Sequence, residues 1–100
     1  MVELINIDFD KTLTCPSEDE WAEAFKREPN QEMIEAVKLA YIRGNKIVVW
    51  TARQWDEAPQ VAGWLTAHRV PYHGLRCGKG GSDLYVDDKA ISPEEFIESV

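Results

Sequence analysis

Two kinds of apolar pattern alternate along the chain. Short runs rich in β-branched residues, Val2-Glu3-Leu4-Ile5-Asn6-Ile7 and Ile47-Val48-Val49-Trp50, predict buried strands. Between them, Met33, Ile34, Val37, Ala40 and Tyr41 recur at helical spacing, with Asn30 as a candidate N-cap and Gly44 placed for a left-handed C-terminal residue. Val61, Trp64, Leu65 and His68 predict a second helix that starts near Asp56–Pro59. Pro71–Leu75 reads as a short strand, and Leu84-Tyr85-Val86 as another, entered from the glycine-rich loop Gly78–Ser82. Ser92-Pro93-Glu94-Glu95 has the N-cap serine, N1 proline and N3 glutamate of a helix start, with Phe96 and Ile97 as its apolar side. The stretch Cys15–Glu28 is less regular; Ser17 with Glu20, then Trp21, Ala24 and Phe25, predicts a short helix after a loop. Strands alternating with helices predict an α/β domain, three-layered and Rossmann-like, with a mainly parallel sheet.

One hundred residues are read as a single domain, 1–100. With 44% hydrophobic and 29% charged residues, the composition is that of an ordinary globule and excludes a disordered chain. The formal charge of −7 argues against a broad basic surface for nucleic acid, while leaving room for a nucleotide or polynucleotide held locally. Cys15 and Cys77 have neither CxxC spacing nor a partnering histidine pattern, so free thiols in a reducing cytoplasm are expected. Met1–Phe9 has no cationic leader and no long apolar stretch, which reads as no signal peptide and no membrane span.

The candidate chemistry lies at predicted strand ends. Asp8 and Asp10 follow the first strand two residues apart, an arrangement that puts both carboxylates on one side and Phe9 on the other. Such neighbours repel, so one keeps a proton or a cation binds. Spacing alone suits a structural turn equally well. Asp87-Asp88 follow the Leu84–Val86 run, and Thr51 follows the second strand, so Asp8, Thr51 and Asp87 fall on the sheet edge where open parallel sheets bind ligands. Oxygen-rich donors of this kind favour Mg²⁺.

Four segments in order resemble the motifs of the haloacid dehalogenase-like superfamily. Ile5-Asn6-Ile7-Asp8-Phe9-Asp10-Lys11-Thr12-Leu13-Thr14 is similar to its first motif, Val48-Val49-Trp50-Thr51-Ala52-Arg53 to its second, Lys79 stands where the third-motif lysine would, and Val86-Asp87-Asp88 is similar to the DD form of the fourth. Lys11 occupies a position where many relatives have glycine, and the spacing from Lys79 to Asp87 is shorter than in many of them. The resemblance implies a Mg²⁺-dependent phosphomonoester hydrolase working through an aspartyl-phosphate. By position, Asp8 would be the nucleophile and Asp10 the acid and base, its pKa raised by Asp8. Thr12, Thr51 and Lys79 would seat the phosphate. Asp8, Asp10 through its backbone carbonyl, and an acid from Asp87-Asp88 would hold the metal; by comparison with the family's GD form Asp88 falls at the ligand position, with Asp87 reaching the ion through water.

The gaps from Thr12 to Thr51 and from Thr51 to Lys79 are filled by predicted helices and strands, so no cap domain is expected. Thr14–Phe25 is the candidate flap, and a homo-oligomer is the other substitute for a cap. The phosphorylated substrate is left open among a sugar phosphate, a nucleotide and a polynucleotide end. Of the tryptophans, Trp50 and Trp64 are expected in the core. Trp21 and Trp55 are better placed to face a substrate, with packing an equal alternative. His68 and His73 are assigned structural roles. Two other classes compete: a non-catalytic binding or regulatory domain of this fold, and a receiver-like phosphoacceptor domain. The latter would need an acceptor aspartate after the third strand, where the chain has none near Leu75.

Overall fold

A computed structural model describes residues 3–19 and 22–100 of the chain. Val2, Glu20 and Trp21, which figured in a predicted strand, a capping box and a substrate-facing position, lie outside the described residues. The elements run β1 (Leu4–Ile7), α1 (Gln31–Ile42), β2 (Lys46–Trp50), α2 (Ala58–Ala67), β3 (Gly74–Arg76) and α3 (Pro93–Ser99). The strands form a parallel sheet in the order β1-β2-β3, with Ile7 opposite Val49 and Trp50 opposite Arg76. This is the expected Rossmann-like α/β arrangement, and no cap domain interrupts it among the described residues.

Local chemistry explains the boundaries. Asn30 caps α1 by accepting from the Met33 N–H at 3.3 Å. The helix ends where Gly44 turns left-handed at φ 95° and the Gly44 and Asn45 N–H groups donate to the carbonyls of Tyr41 and Ala40. A 3-10 turn, Trp55–Glu57, leads into α2, and Gln54 and Glu57 cap it reciprocally. Ser92 and Glu95 do the same for α3, as the sequence predicts.

The core is made by Phe9, Leu13, Ile34, Val37, Ile47, Val49, Val61 and Leu65, all fully buried. Trp64 joins them: its ring meets Phe9 edge to face, with centroids 5.0 Å apart, and its indole N–H donates to the Arg27 carbonyl at 2.9 Å. Both histidines are structural as expected. His73 Nδ1 accepts from the Ile47 N–H at 3.0 Å, and His68 packs on Trp64.

Three expectations fail. Leu84-Tyr85-Val86 is not a strand; these residues lie in an extended loop with Leu84 and Val86 mostly exposed. A run of only three such residues gains too little from pairing to fix its own partner, and three glycines in the preceding loop weaken the constraint. Of the helix expected within Cys15–Glu28, the described residues show one 3-10 turn, Ala24–Lys26. Trp50 is half-buried rather than core, because β2 alternates, with Ile47 and Val49 inward and Val48 and Trp50 partly open. No helix among the described residues is long and apolar enough to cross a membrane.

Trp64→Phe keeps the ring contact and removes the donor to the Arg27 carbonyl. A loss of about 1–3 kcal/mol in unfolding free energy is expected from urea titration; an unchanged midpoint would show that this bond contributes nothing.

Candidate active site

The end of β1 feeds directly into a tight turn. Phe9–Leu13 forms a π-type turn closed by the Thr14 N–H on the Phe9 carbonyl at 3.1 Å. Lys11 takes a left-handed conformation there, φ 61°, with its N–H donating to Thr14 Oγ1 at 2.9 Å. A side chain in that region costs about 1–2 kcal/mol relative to an ordinary conformation, which is why glycine suits the position. The turn sends Phe9 into the core and leaves Asp8 and Asp10 half-buried on the other side.

Asp8 faces a cation. Lys79 Nζ lies 3.9 Å from Asp8 Oδ1. Burial is the largest influence and raises the Asp8 pKa above its ordinary value; Lys79, the Phe9 N–H and the Thr12 hydroxyl act to lower it, and Asp10 adds to the rise. Lys79 is positioned by its backbone: its N–H donates to the Thr51 carbonyl at 3.0 Å, and the Gly78 N–H to the Arg53 carbonyl at 2.8 Å. Gly78 makes the turn at φ 81°, a conformation glycine alone adopts freely. The Lys79 ammonium also lies over the rings of Trp50, at 5.1 Å, and Tyr85, at 4.6 Å.

Asp10 is held differently. Arg53 grips it with a two-point fork, Nε to Oδ2 at 3.0 Å and Nη2 to Oδ1 at 2.8 Å, and Arg27 Nε stands 3.4 Å from Oδ1. The Arg53 guanidinium also donates from Nη1 to Glu57 at 3.1 Å and from Nη2 to the Ala22 carbonyl at 2.8 Å. The sequence suggested Asp8 as the charged neighbour of Asp10; in the fold Asp10 pairs with two arginines. Arg53 was legible only as the last residue of the second-motif segment. Arg27 gave no signal beyond being an arginine, and its burial became visible only with the fold.

Thr51 is fully buried, its Oγ1 accepting from the Arg53 N–H at 3.1 Å, so it shapes the turn that carries Arg53. Asp87 and Asp88 do not end a strand; both are exposed, and Asp87 accepts from the Lys89 N–H at 2.8 Å, the main reason its pKa is lowered. Among the described residues, no three His, Cys, Asp or Glu side chains stand together as a metal-holding group. Asp8, Asp10, Thr12, Thr51 and Lys79 follow the C-terminal ends of the three strands, and among the described residues Asp87 and Asp88 do not join them in a metal-holding group. Of the candidate flap, Thr14 is buried and bridged to Pro29, so any moving part begins after Cys15.

No protein-family model matches the chain, and no curated protein does. Solved structures do. The crystal structure of an MCSG target from Vibrio cholerae is 29% identical, with TM-score 0.80 over 97% of this chain and 88% of its own. A chain in a structure of the Pnkp1/Rnl/Hen1 complex has TM-score 0.68 at 20% identity, and one in a structure of the Pnkp1/Rnl/Hen1 RNA repair complex 0.67 at 14%. Each of these two covers 98% of this chain, which spans only 34% and 30% of their length; the likeness is one of fold.

Two outcomes test this geometry. Arg53→Lys keeps the charge but not the fork, and should lower stability by about 1–3 kcal/mol in denaturant titration; Asp10 is 29% exposed, so solvent limits the loss. Asp8→Asn should raise the melting temperature at neutral pH. A carboxyl whose pKa is raised on folding favours the folded state at low pH and loses that contribution as pH rises through the folded value. The gain should vanish below the ordinary carboxylate range, about 3.9. A pH-independent difference would contradict the assignment.

Proposed function

We propose that the chain is a phosphomonoester hydrolase in which Asp8 accepts the phosphoryl group. The observation that carries this reading is the half-buried Asp8 carboxylate facing the Lys79 ammonium at the C-terminal edge of a parallel sheet, with Asp10 two residues on. A phosphoryl group lying between Asp8 and Lys79 would have a nucleophile on one side and charge neutralisation on the other.

In the first step a carboxylate oxygen of Asp8 attacks phosphorus, the ester P–O bond breaks, and the leaving oxygen takes a proton from Asp10. In the second, water attacks the aspartyl-phosphate, its proton passes to Asp10, and inorganic phosphate leaves with Asp8 restored. Proton transfer by Asp10 requires its fork with Arg53 to loosen. An arriving phosphate dianion is a competing acceptor for that guanidinium, which links substrate binding to release of the acid. Thr12 completes the phosphate seat in this reading, and Thr51, fully buried, supports it only through the turn that carries Arg53.

Mg²⁺ dependence belongs to the same proposal. In the present arrangement the side chains do not form a cradle for the ion: Asp8 faces Lys79, Asp10 faces the arginines, and Asp87 and Asp88 are exposed. The expected donors in this reading are Asp8, the Asp10 backbone carbonyl and Asp87 or Asp88.

The likeness of fold to chains of an RNA repair complex adds weight to a polynucleotide end among the three substrate classes, beside nucleotides and sugar phosphates. A homo-oligomer that shields the open site is compatible with each. A second reading, a binding domain without turnover, is favoured by one observation: the acid–base candidate is fully engaged by Arg53.

Phosphate release from a panel of phosphomonoesters, with Mg²⁺ and with EDTA, separates these readings. Turnover dependent on Mg²⁺ and reduced to background by Asp8→Asn is expected. Undiminished turnover in Asp8→Asn would remove Asp8 from the chemistry, and binding without turnover across the panel would favour the second reading.

A further inference from the structure

We infer that the aromatic side chains around the Gly78–Lys79 turn form a shelf for a nucleobase, so that the phosphomonoester presented to Asp8 is carried by a nucleotide unit. This rests on the reading of Asp8 as phosphoryl acceptor.

Lys79 is the meeting point. Its ammonium is 3.9 Å from Asp8 Oδ1, 5.1 Å from the Trp50 ring centroid and 4.6 Å from that of Tyr85. One residue earlier, the indole nitrogen of Trp55 lies 3.6 Å from where a β-carbon on Gly78 would sit. Three rings thus border the two residues that deliver a cation to the reacting carboxylate. Their faces are not equally available. Trp50 is half-buried, and Arg76 also lies over it, at 5.5 Å. Trp55 and Tyr85 are 61% and 51% exposed. Large rings left open beside a charged site are surfaces in search of a flat partner.

The chemistry of that partner follows from what surrounds the rings. A base stacks on any aromatic face without regard to sequence, and cationic side chains next to the ring complete the pattern used for single-stranded nucleic acid. Here Arg76 and Lys79 supply the cations locally, in a chain whose formal charge is −7. Such a chain suits a single nucleotide unit or a strand end, held at one point, rather than a duplex followed along a basic groove. A sugar ring would also lie against an indole, and the experiment separates the two.

Asp8→Asn protein binds without turning over, so titration calorimetry reads affinity alone. The probes are adenosine 5′-monophosphate, ribose 5-phosphate and short single-stranded oligonucleotides bearing a 3′- or 5′-phosphate. Adenosine monophosphate should bind on the order of ten-fold more tightly than ribose phosphate, a ratio within the range of one stacked base. Adding Trp55→Ala, at an exposed position, should remove that advantage and leave ribose phosphate unchanged; Tyr85→Ala is the parallel variant. Equal binding of the two small probes, or equal weakening of both by Trp55→Ala, overturns the shelf. A further gain with an oligonucleotide assigns the shelf to a strand end, and none assigns it to the free nucleotide. Turnover without base preference removes the shelf and spares the hydrolase, whereas base-selective binding without turnover does the reverse.

Discussion

Arg53 ties together parts of the chain that are otherwise independent. A guanidinium only 10% exposed must have its donors matched, because an uncompensated charge at that depth is strongly destabilising. The matches come from Asp10 in the turn after β1, from the Ala22 carbonyl in the long connection to α1, and from Glu57 at the entrance to α2. Its flat face also lies over the Phe9 ring, at 5.7 Å. The orientation of Asp10 is therefore a property of the whole fold rather than of its own turn, and any chemistry assigned to Asp10 has to include what happens to Arg53.

The local charge differs from that of the molecule. Around the end of β1, Asp8 and Asp10 meet Lys79, Arg53 and Arg27, so this patch is balanced or slightly positive within a chain of formal charge −7. The surplus acid lies elsewhere, and among the described residues it is not collected into a metal-binding group. Anions are thus met by cations at one point on an otherwise repelling surface, which favours a small anionic group over a long polyanion.

How much of this was legible in the sequence depends on the range of the cause. Strands and helices set by periodicity and by local capping, such as Asn30 with Met33 or Ser92 with Glu95, were readable. So was the placement of Asp8, Asp10 and Lys79 near one another, because motif order maps onto strand ends. The Leu84–Val86 segment was not: its composition suits a strand, but pairing is decided by partners outside the run. Arg27 and Glu57 were equally opaque. An arginine and a glutamate are ordinary surface residues in a sequence, and only three-dimensional closure turns them into neighbours of Asp10 and Arg53.

The connection between the first turn and α1 leaves and returns at nearly the same place. Thr14 bridges Pro29, the Cys15 N–H bonds the Glu28 carbonyl at 2.8 Å, and the Asn30 N–H bonds the Leu13 carbonyl at 2.8 Å. A segment pinned side by side at both ends is an excursion whose length is nearly independent of the scaffold beneath it, since closing a longer loop costs little extra entropy. Its return half is anchored near Asp10 through Ala22 and Arg27, which leaves the outgoing half as the natural point for grafting. New elements covering the Asp8 edge could be spliced in there without re-solving the packing of the sheet, so this compact scaffold already contains the socket from which a larger protein could be built.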